Sequence, residues 1–83
     1  MKHQYFVEMT DTFGREANYS WVNRFLVTST SELGAIRKVT KHTGYHARKV
    51  SDGQYRVPGA CMVYFLNDAQ GNEAEQYLHV TTL

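Results

Sequence analysis

Two pairs of residues in this chain have the side-chain types needed for metal binding or nucleophilic catalysis. His42 and His46 are four residues apart, the spacing that places two imidazole groups on one face of a helix. Gly44 lies between them and favours a helix end, because glycine readily adopts the left-handed conformation that terminates helices. No third ligand type lies close to the pair in the sequence. We therefore interpret both histidines as surface residues and predict no metal site.

Cys61 and His79 are the residue types of a thiol nucleophile and its general base. Cys61, however, lies in the segment 60–66, which is the most apolar part of the chain. A thiol in such a segment is expected to be a buried, inert small hydrophobe. We therefore predict no catalytic cysteine, no cofactor and no enzymatic activity.

A basic cluster in the middle of the chain is the stronger candidate for a functional surface. Residues 37–56 include six basic residues and one acidic residue, whereas the rest of the chain has three basic and seven acidic residues. The net charge of +1 conceals this asymmetry. Tyrosine and arginine are enriched among the residues that dominate binding energies. The predicted partner-binding residues are Arg37, Lys38, Lys41, Tyr45, Arg48 and Lys49.

Three kinds of partner are compatible with this cluster. A protein partner is favoured, because the pI of 7.9 is below that of most nucleic-acid-binding domains. A nucleic acid is the alternative, since the same residues could follow a phosphate backbone while Trp21 or Tyr55 stacks on bases. A second copy of the chain is the third, through the unpaired edge that a small open sheet presents.

The elements that must position the cluster follow from the periodicity of apolar residues. Tyr5, Val7 and Met9 alternate with mainly polar residues, which predicts a strand with one buried face. A loop over residues 11–18 then leads to a second strand over residues 19–27, so that the two strands form a hairpin.

A helix is predicted from Ser29 to Gly44. The Ser29 hydroxyl and the Glu32 carboxylate have the spacing of a capping box, and Gly44 is a natural left-handed stop. Gly34 costs about 1 kcal/mol relative to alanine inside a helix, which indicates that the helix lies close to the sheet there. The predicted apolar face consists of Leu33, Ile36, Val39 and Thr43, with the basic residues on the opposite side.

Three further strands are predicted over residues 45–50, 60–66 and 75–82. Pro58 and Gly59 interrupt the pattern and indicate a sheet edge or a bulge. The predicted fold is therefore α+β. It is a single two-layer domain over residues 1–83, in which one helix packs on a mainly antiparallel sheet in the order β-β-α-β-β-β.

The length and composition agree with this architecture. A chain of 83 residues with 42% hydrophobic residues forms one globule with a thin core. The single cysteine excludes an internal disulfide, and no apolar run is long enough for a signal peptide or a membrane span. These features predict a protein of the reducing cytoplasm.

Several runs of residues resemble short uncharacterised proteins encoded by tailed phages. The similarity is carried by TDTFGREANYSWVNR at residues 10–24, GAIRKV at 34–39 and TGY at 43–45. More loosely, the order of strand, Ser/Thr cap, basic helix and following strands is similar in build to small phage-encoded anti-CRISPR proteins. The resemblance implies an accessory protein that binds a host protein or a defence complex, without chemistry, in the cytoplasm of an infected bacterium. Many anti-CRISPR proteins are acidic mimics of nucleic acid, and this chain departs from that type.

Overall fold

A long antiparallel hairpin forms the centre of the structure. In a computed structural model, which describes residues 2–14, 16–69, 77 and 79–83, strand β1 spans His3–Phe13 and strand β2 spans Glu16–Ser29. The pairing runs from His3 opposite Ser29 to Phe13 opposite Glu16. The predicted hairpin therefore forms, and it is longer than the apolar pattern indicated.

The described residues also form one helix and four shorter strands. They are α1 (Glu32–Thr43), β3 (Arg48–Ser51), β4 (Gln54–Arg56), β5 (Met62–Asp68) and β6 (Thr81–Thr82). The strands form one sheet in the order β3-β4-β5-β1-β2-β6, in which only the β2 and β6 pair is parallel. The α+β class and the predicted order of elements are confirmed, with β4 as an additional short strand.

The core lies between α1 and one face of the sheet. Ala35, Ile36 and Val39 are the buried residues of the helix, and they pack with alternate residues of the central strands and with Tyr55 and Tyr64. The prediction that Leu33 belongs to this face is wrong, because 52% of Leu33 is exposed. At about 100° per residue, Leu33 lies to one side of the arc defined by the three buried residues.

The helix begins two residues later than predicted. Ser31 is the N-cap, and its side chain accepts a hydrogen bond of 3.0 Å from the amide of Gly34. Ser29 is not the cap, because it pairs with His3 and is the last residue of β2. A Cβ atom on Gly34 would collide with the Ser29 hydroxyl, so the helix does lie close to the sheet at this glycine.

The predicted C-terminal end of the helix is confirmed. Gly44 is the C-cap, with φ at 83°, and its amide donates a 2.7 Å hydrogen bond to the carbonyl of Thr40.

Three of the predicted strand boundaries are wrong. Residues 44–47 form an irregular connector, so β3 begins at Arg48. Strand β5 begins at Met62 and not at residue 60, because a turn precedes it. In this turn the Val57 amide donates a 3.1 Å hydrogen bond to the Met62 carbonyl. Cys61 lies in that turn and is exposed, which contradicts its predicted burial. Of the predicted strand 75–82, residues 75, 76 and 78 lie outside the described residues, and Thr81–Thr82 forms β6.

Aromatic side chains cover part of the sheet face opposite the helix. Phe6 stacks on Tyr77, with ring centroids 5.6 Å apart and an interplanar angle of 19°. The Arg24 guanidinium lies 3.9 Å from the centroid of the Tyr77 ring, and its Nε atom is 3.2 Å from the Glu8 carboxylate. These contacts provide a partial second layer where no described helix lies.

The exposed end of the hairpin contains an irregularity organised by Asp11. The register between β1 and β2 shifts between Thr10 and Thr12, so that β2 has extra residues at this point. The Asp11 carboxylate accepts hydrogen bonds from the Ser20 amide at 3.0 Å, from the Ser20 hydroxyl and from the Asn18 side chain at 3.4 Å. Tyr19, between these donors, has φ at 52° and is the one non-glycine residue with positive φ in the described ranges.

We predict that Ser31→Ala lowers the free energy of unfolding by about 0.5–2 kcal/mol, because the Gly34 amide loses its acceptor. Chemical denaturation of both proteins gives the difference. Thr30→Ala is the control, because Thr30 is an exposed neighbour with no capping role. An unchanged midpoint for Ser31→Ala would contradict the assigned cap.

The Asp11 interactions predict an acid-sensitive hairpin end. Hydrogen bonds from the Ser20 hydroxyl lower the pKa of Asp11, with smaller contributions in the same direction from the Ser20 amide and Asn18. The stabilisation is therefore complete above the ordinary aspartate pKa of about 3.9 and is lost as pH falls through the lowered value. In an NMR titration, the Ser20 amide should shift with a midpoint below about 3.9.

Asp11→Asn should abolish that titration, whereas Asp52→Asn should leave it unchanged, because Asp52 pairs with Lys49 instead. A titration midpoint of the Ser20 amide at or above the ordinary aspartate pKa would refute the hydrogen bonds assigned to the Asp11 carboxylate.

Candidate functional site

The helix separates the predicted basic residues onto two flanks. Arg37 and Lys41 are one turn apart and continue the ridge that begins at Leu33. Lys38 lies on the other flank, where its ammonium group donates a hydrogen bond to the carbonyl oxygen of Thr28. Arg37 and Lys41 are therefore available to a partner on the flank that carries the exposed apolar residue Leu33.

A groove of about 610 Å³ lies between this flank and the connector 44–47. Leu33, Ile36 and Ala47 give it apolar lining, while Arg37 and Lys41 add positive charge. A second groove of about 430 Å³ shares Gly44, His46 and Ala47 with the first. It continues past Tyr45 to the open end of the β3–β4 hairpin, where it is lined by Arg48, Val57 and Pro58. We refer to the two grooves together as the basic trough.

The charges of the basic trough are not neutralised by the rest of the described structure. Arg37, Lys41 and Arg48 are exposed, and no carboxylate of a described residue lies within 4.0 Å of their charged groups. Lys49 differs, because its ammonium group is 3.6 Å from the exposed carboxylate of Asp52. Such an exposed ion pair contributes little to stability, but it reduces the charge that Lys49 offers to a partner.

Hydrogen bonds to the core fix the connector where it passes between the two grooves. The Tyr45 amide donates to the Thr43 hydroxyl at 3.2 Å, and the Tyr45 carbonyl accepts from the Tyr64 hydroxyl at 3.0 Å. The Thr43 and Tyr64 hydroxyl groups are 2.8 Å apart. Since Tyr64 donates its proton to Tyr45, Thr43 is the donor in this bond, and the three bonds form a closed ring.

This ring of hydrogen bonds forms only while the Tyr64 hydroxyl is protonated, because that hydroxyl is the donor to the Tyr45 carbonyl. Burial raises the pKa of Tyr64, and this effect exceeds the opposing contribution of the Thr43 hydrogen bond. The Tyr64 hydroxyl therefore stays protonated at neutral pH and remains a donor. Tyr45 itself is 44% exposed and lines the trough, which suits its side chain to contact a partner.

Four of the six predicted partner-binding residues meet in the basic trough, namely Arg37, Lys41, Tyr45 and Arg48. Lys38 and Lys49 do not line it. The sequence pattern also missed trough residues, because the helical spacing of Leu33 suggested a core position and the segment 45–50 suggested a strand. Tyr45, His46 and Ala47 alternate in polarity as a strand would, so no signal in the sequence indicated an irregular connector there.

The other candidate chemistries do not converge on one place. His42 contacts the edge of the Phe25 ring, with centroids 5.7 Å apart, and shares a cleft of about 380 Å³ with His79. His46 instead lines the basic trough. In the described part of the chain, no group of three or more His, Cys, Asp or Glu residues could hold a metal ion.

Comparisons with known proteins add no assignment. No protein-family model, curated protein or solved structure matches the chain. Within residues 2–14, 16–69, 77 and 79–83, no helix has both the length and the apolar character needed to cross a membrane. The geometry of the domain is therefore the basis for the functional proposal.

We predict that Tyr64→Phe releases the connector. Removal of the hydroxyl deprives Thr43 and Tyr45 of a partner, which should lower the free energy of unfolding by about 0.5–1.5 kcal/mol. Amide hydrogen exchange at residues 45–47 should accelerate. Tyr55→Phe is the matched control, because Tyr55 is also buried but makes no hydrogen bond through its hydroxyl to a described residue. Unchanged exchange at residues 45–47 in Tyr64→Phe would show that the ring does not hold the connector.

Proposed function

We propose that this protein acts by binding, without catalysis, and captures an acidic surface of a partner protein in the basic trough. The carrying observation is the combination of three exposed, unneutralised cations with an apolar floor and an exposed tyrosine ring. An interface core is apolar and enriched in Tyr and Arg, while its rim is polar. The trough provides both parts, and acidic side chains on the partner would complement its charge.

The apolar lining favours a protein over a nucleic acid at this site. Phosphate backbones are bound mainly by rows of cations, and each contact releases counterions. Here the row is broken, because Lys38 bonds to Thr28 and Lys49 pairs with Asp52. Leu33 and Ala47 have no role in phosphate binding, whereas they can pack against apolar side chains of a protein.

The resemblance to phage proteins suggests the class of partner. We propose a host protein or a defence complex in an infected bacterial cell, whose working surface would be blocked or modulated by occupation. Pairing of two copies through β3 is less favourable, because Arg48 and Lys49 would bring like charges together at the new junction.

Two double variants test this proposal. Arg37→Ala with Lys41→Ala removes two charges from the trough, whereas Lys38→Ala with Lys49→Ala removes two charges from the same elements outside it. Both should remain folded by circular dichroism, since all four side chains are exposed. Tagged proteins are used to capture partners from a nuclease-treated lysate of the bacterial host, and captured proteins are quantified by mass spectrometry.

We expect the trough variant to lose at least about tenfold of the captured partner, as for hot-spot residues, while the control retains it. Tyr45→Ala should show a loss of similar direction. Equal retention by both double variants would contradict the trough as the binding site. The wild type is also tested with an untreated lysate, and a partner captured there but lost after nuclease treatment would favour nucleic acid instead.

A further inference from the structure

A second exposed surface lies on the sheet face opposite α1. Tyr77 covers one part of this face through its contacts with Phe6 and Arg24. Near the hairpin end, the face instead forms a groove of about 410 Å³, which we call the sheet groove. Phe65 and Val63 of β5 line it, together with Gln54 and Arg56 of β4. Thr12, Glu16 and Ala17 of the hairpin and Val50 complete it.

Beside the groove lies a strained aromatic residue, Tyr19, whose ring stacks on the groove residue Phe65. Tyr19 adopts φ at 52°, a conformation that residues with large side chains rarely take. This places its ring 6.0 Å from that of Phe65, with an interplanar angle of 19°. Since 54% of Tyr19 remains exposed, the strain does not serve to bury the ring. Strained positions of this kind are concentrated at functional sites, where the placement of a side chain matters.

The groove also has positive charge on one side. Arg56 lines the groove and lies opposite Arg48 in the β3–β4 pairing, so the two side chains leave the same face of the sheet. Arg48 does not line this groove itself, and it also lines the edge of the basic trough. Neither arginine has a carboxylate of a described residue within 4.0 Å, although like charges at such a position repel. Arg24 on the same face is different, because Glu8 neutralises it. An anion held between Arg56 and Arg48 would remove the repulsion.

We propose that the sheet groove binds single-stranded nucleic acid. A base would stack on the Tyr19 and Phe65 rings, and the Gln54 amide, which both donates and accepts hydrogen bonds, would contact the base edge. The adjoining phosphate would bind to Arg56 and Arg48, away from the Glu16 carboxylate. Aromatic stacking combined with cationic contacts to the backbone is the usual basis of single-strand binding.

This site lies on the opposite side of the sheet from α1 and shares only Arg48 with the basic trough, so it does not rest on the protein partner proposed above. Two arginines and a short aromatic platform predict weak binding, with a Kd of about 10 µM to 1 mM at low salt. A duplex should bind more weakly than a single strand, because its bases are stacked with each other and cannot reach the rings.

Fluorescence anisotropy tests the proposal with a labelled oligouridylate of about eight nucleotides. An abasic oligonucleotide and a duplex of the same length are the competitors, and uridine monophosphate is a third. We expect the abasic strand and the duplex to bind about fivefold or more weakly than the oligouridylate, since stacking is lost. Equal binding of the abasic strand, or no binding at about 1 mM protein, would overturn the proposal. If uridine monophosphate binds as tightly as the oligouridylate, the ligand is a free nucleotide and not a strand. That result would also overturn the proposal.

Variants assign the binding to the groove. Tyr19→Asn removes the ring but keeps a residue that tolerates positive φ, and Arg56→Gln removes one charge. Each should weaken binding about fivefold or more, whereas Tyr19→Phe should retain it. The double variant Arg37→Ala with Lys41→Ala should bind the oligonucleotide normally, because both residues line the basic trough. If this double variant loses oligonucleotide binding while Tyr19→Asn retains it, the nucleic acid binds in the basic trough. That result would refute binding in the sheet groove.

Discussion

In the part of the chain that the structure describes, one helix of twelve residues covers one face of a six-stranded sheet, and the other described features of the domain follow from this constraint. The covered face holds the core, in which Val7, Val27 and Tyr64 are fully buried. The other face needs a substitute for a second layer. Among the described residues, aromatic rings from the hairpin end and from Tyr77 provide part of it.

The same constraint determines which surfaces are available for binding. Among the described elements, α1 lies alone on its face, and the connector that follows it forms a groove along the outer flank of the helix. On the opposite face, the hairpin end and β4 flank β5, and no helix of the described ranges covers them. Each candidate surface therefore lies where the described elements leave part of a layer open.

Local signals in the sequence were sufficient for the class of fold and for most elements, because strands and the helix are encoded by short-range periodicity. The helix start could not be decided in this way, since Ser29 and Ser31 are equally suitable caps and the choice depends on pairing of Ser29 with His3. Cys61 illustrates the same limit. Its apolar neighbours indicate burial, but the turn that begins after Val57 moves it to the surface.

The candidate site was predictable in its residue types but not in its geometry. The helical period separates Lys38 from Arg37 and Lys41. Only the tertiary structure shows that the Lys38 ammonium group donates a hydrogen bond to the carbonyl oxygen of Thr28. The two surfaces also depend on different interactions. The trough is held by the protonated hydroxyl of buried Tyr64, which is insensitive to acid below its raised pKa. The Tyr19 ring is held through the exposed carboxylate of Asp11, whose hydrogen bonds weaken once it is protonated. Acid should therefore disturb the sheet groove before the basic trough, which provides a physical means to test the two proposed binding surfaces separately within one folded domain.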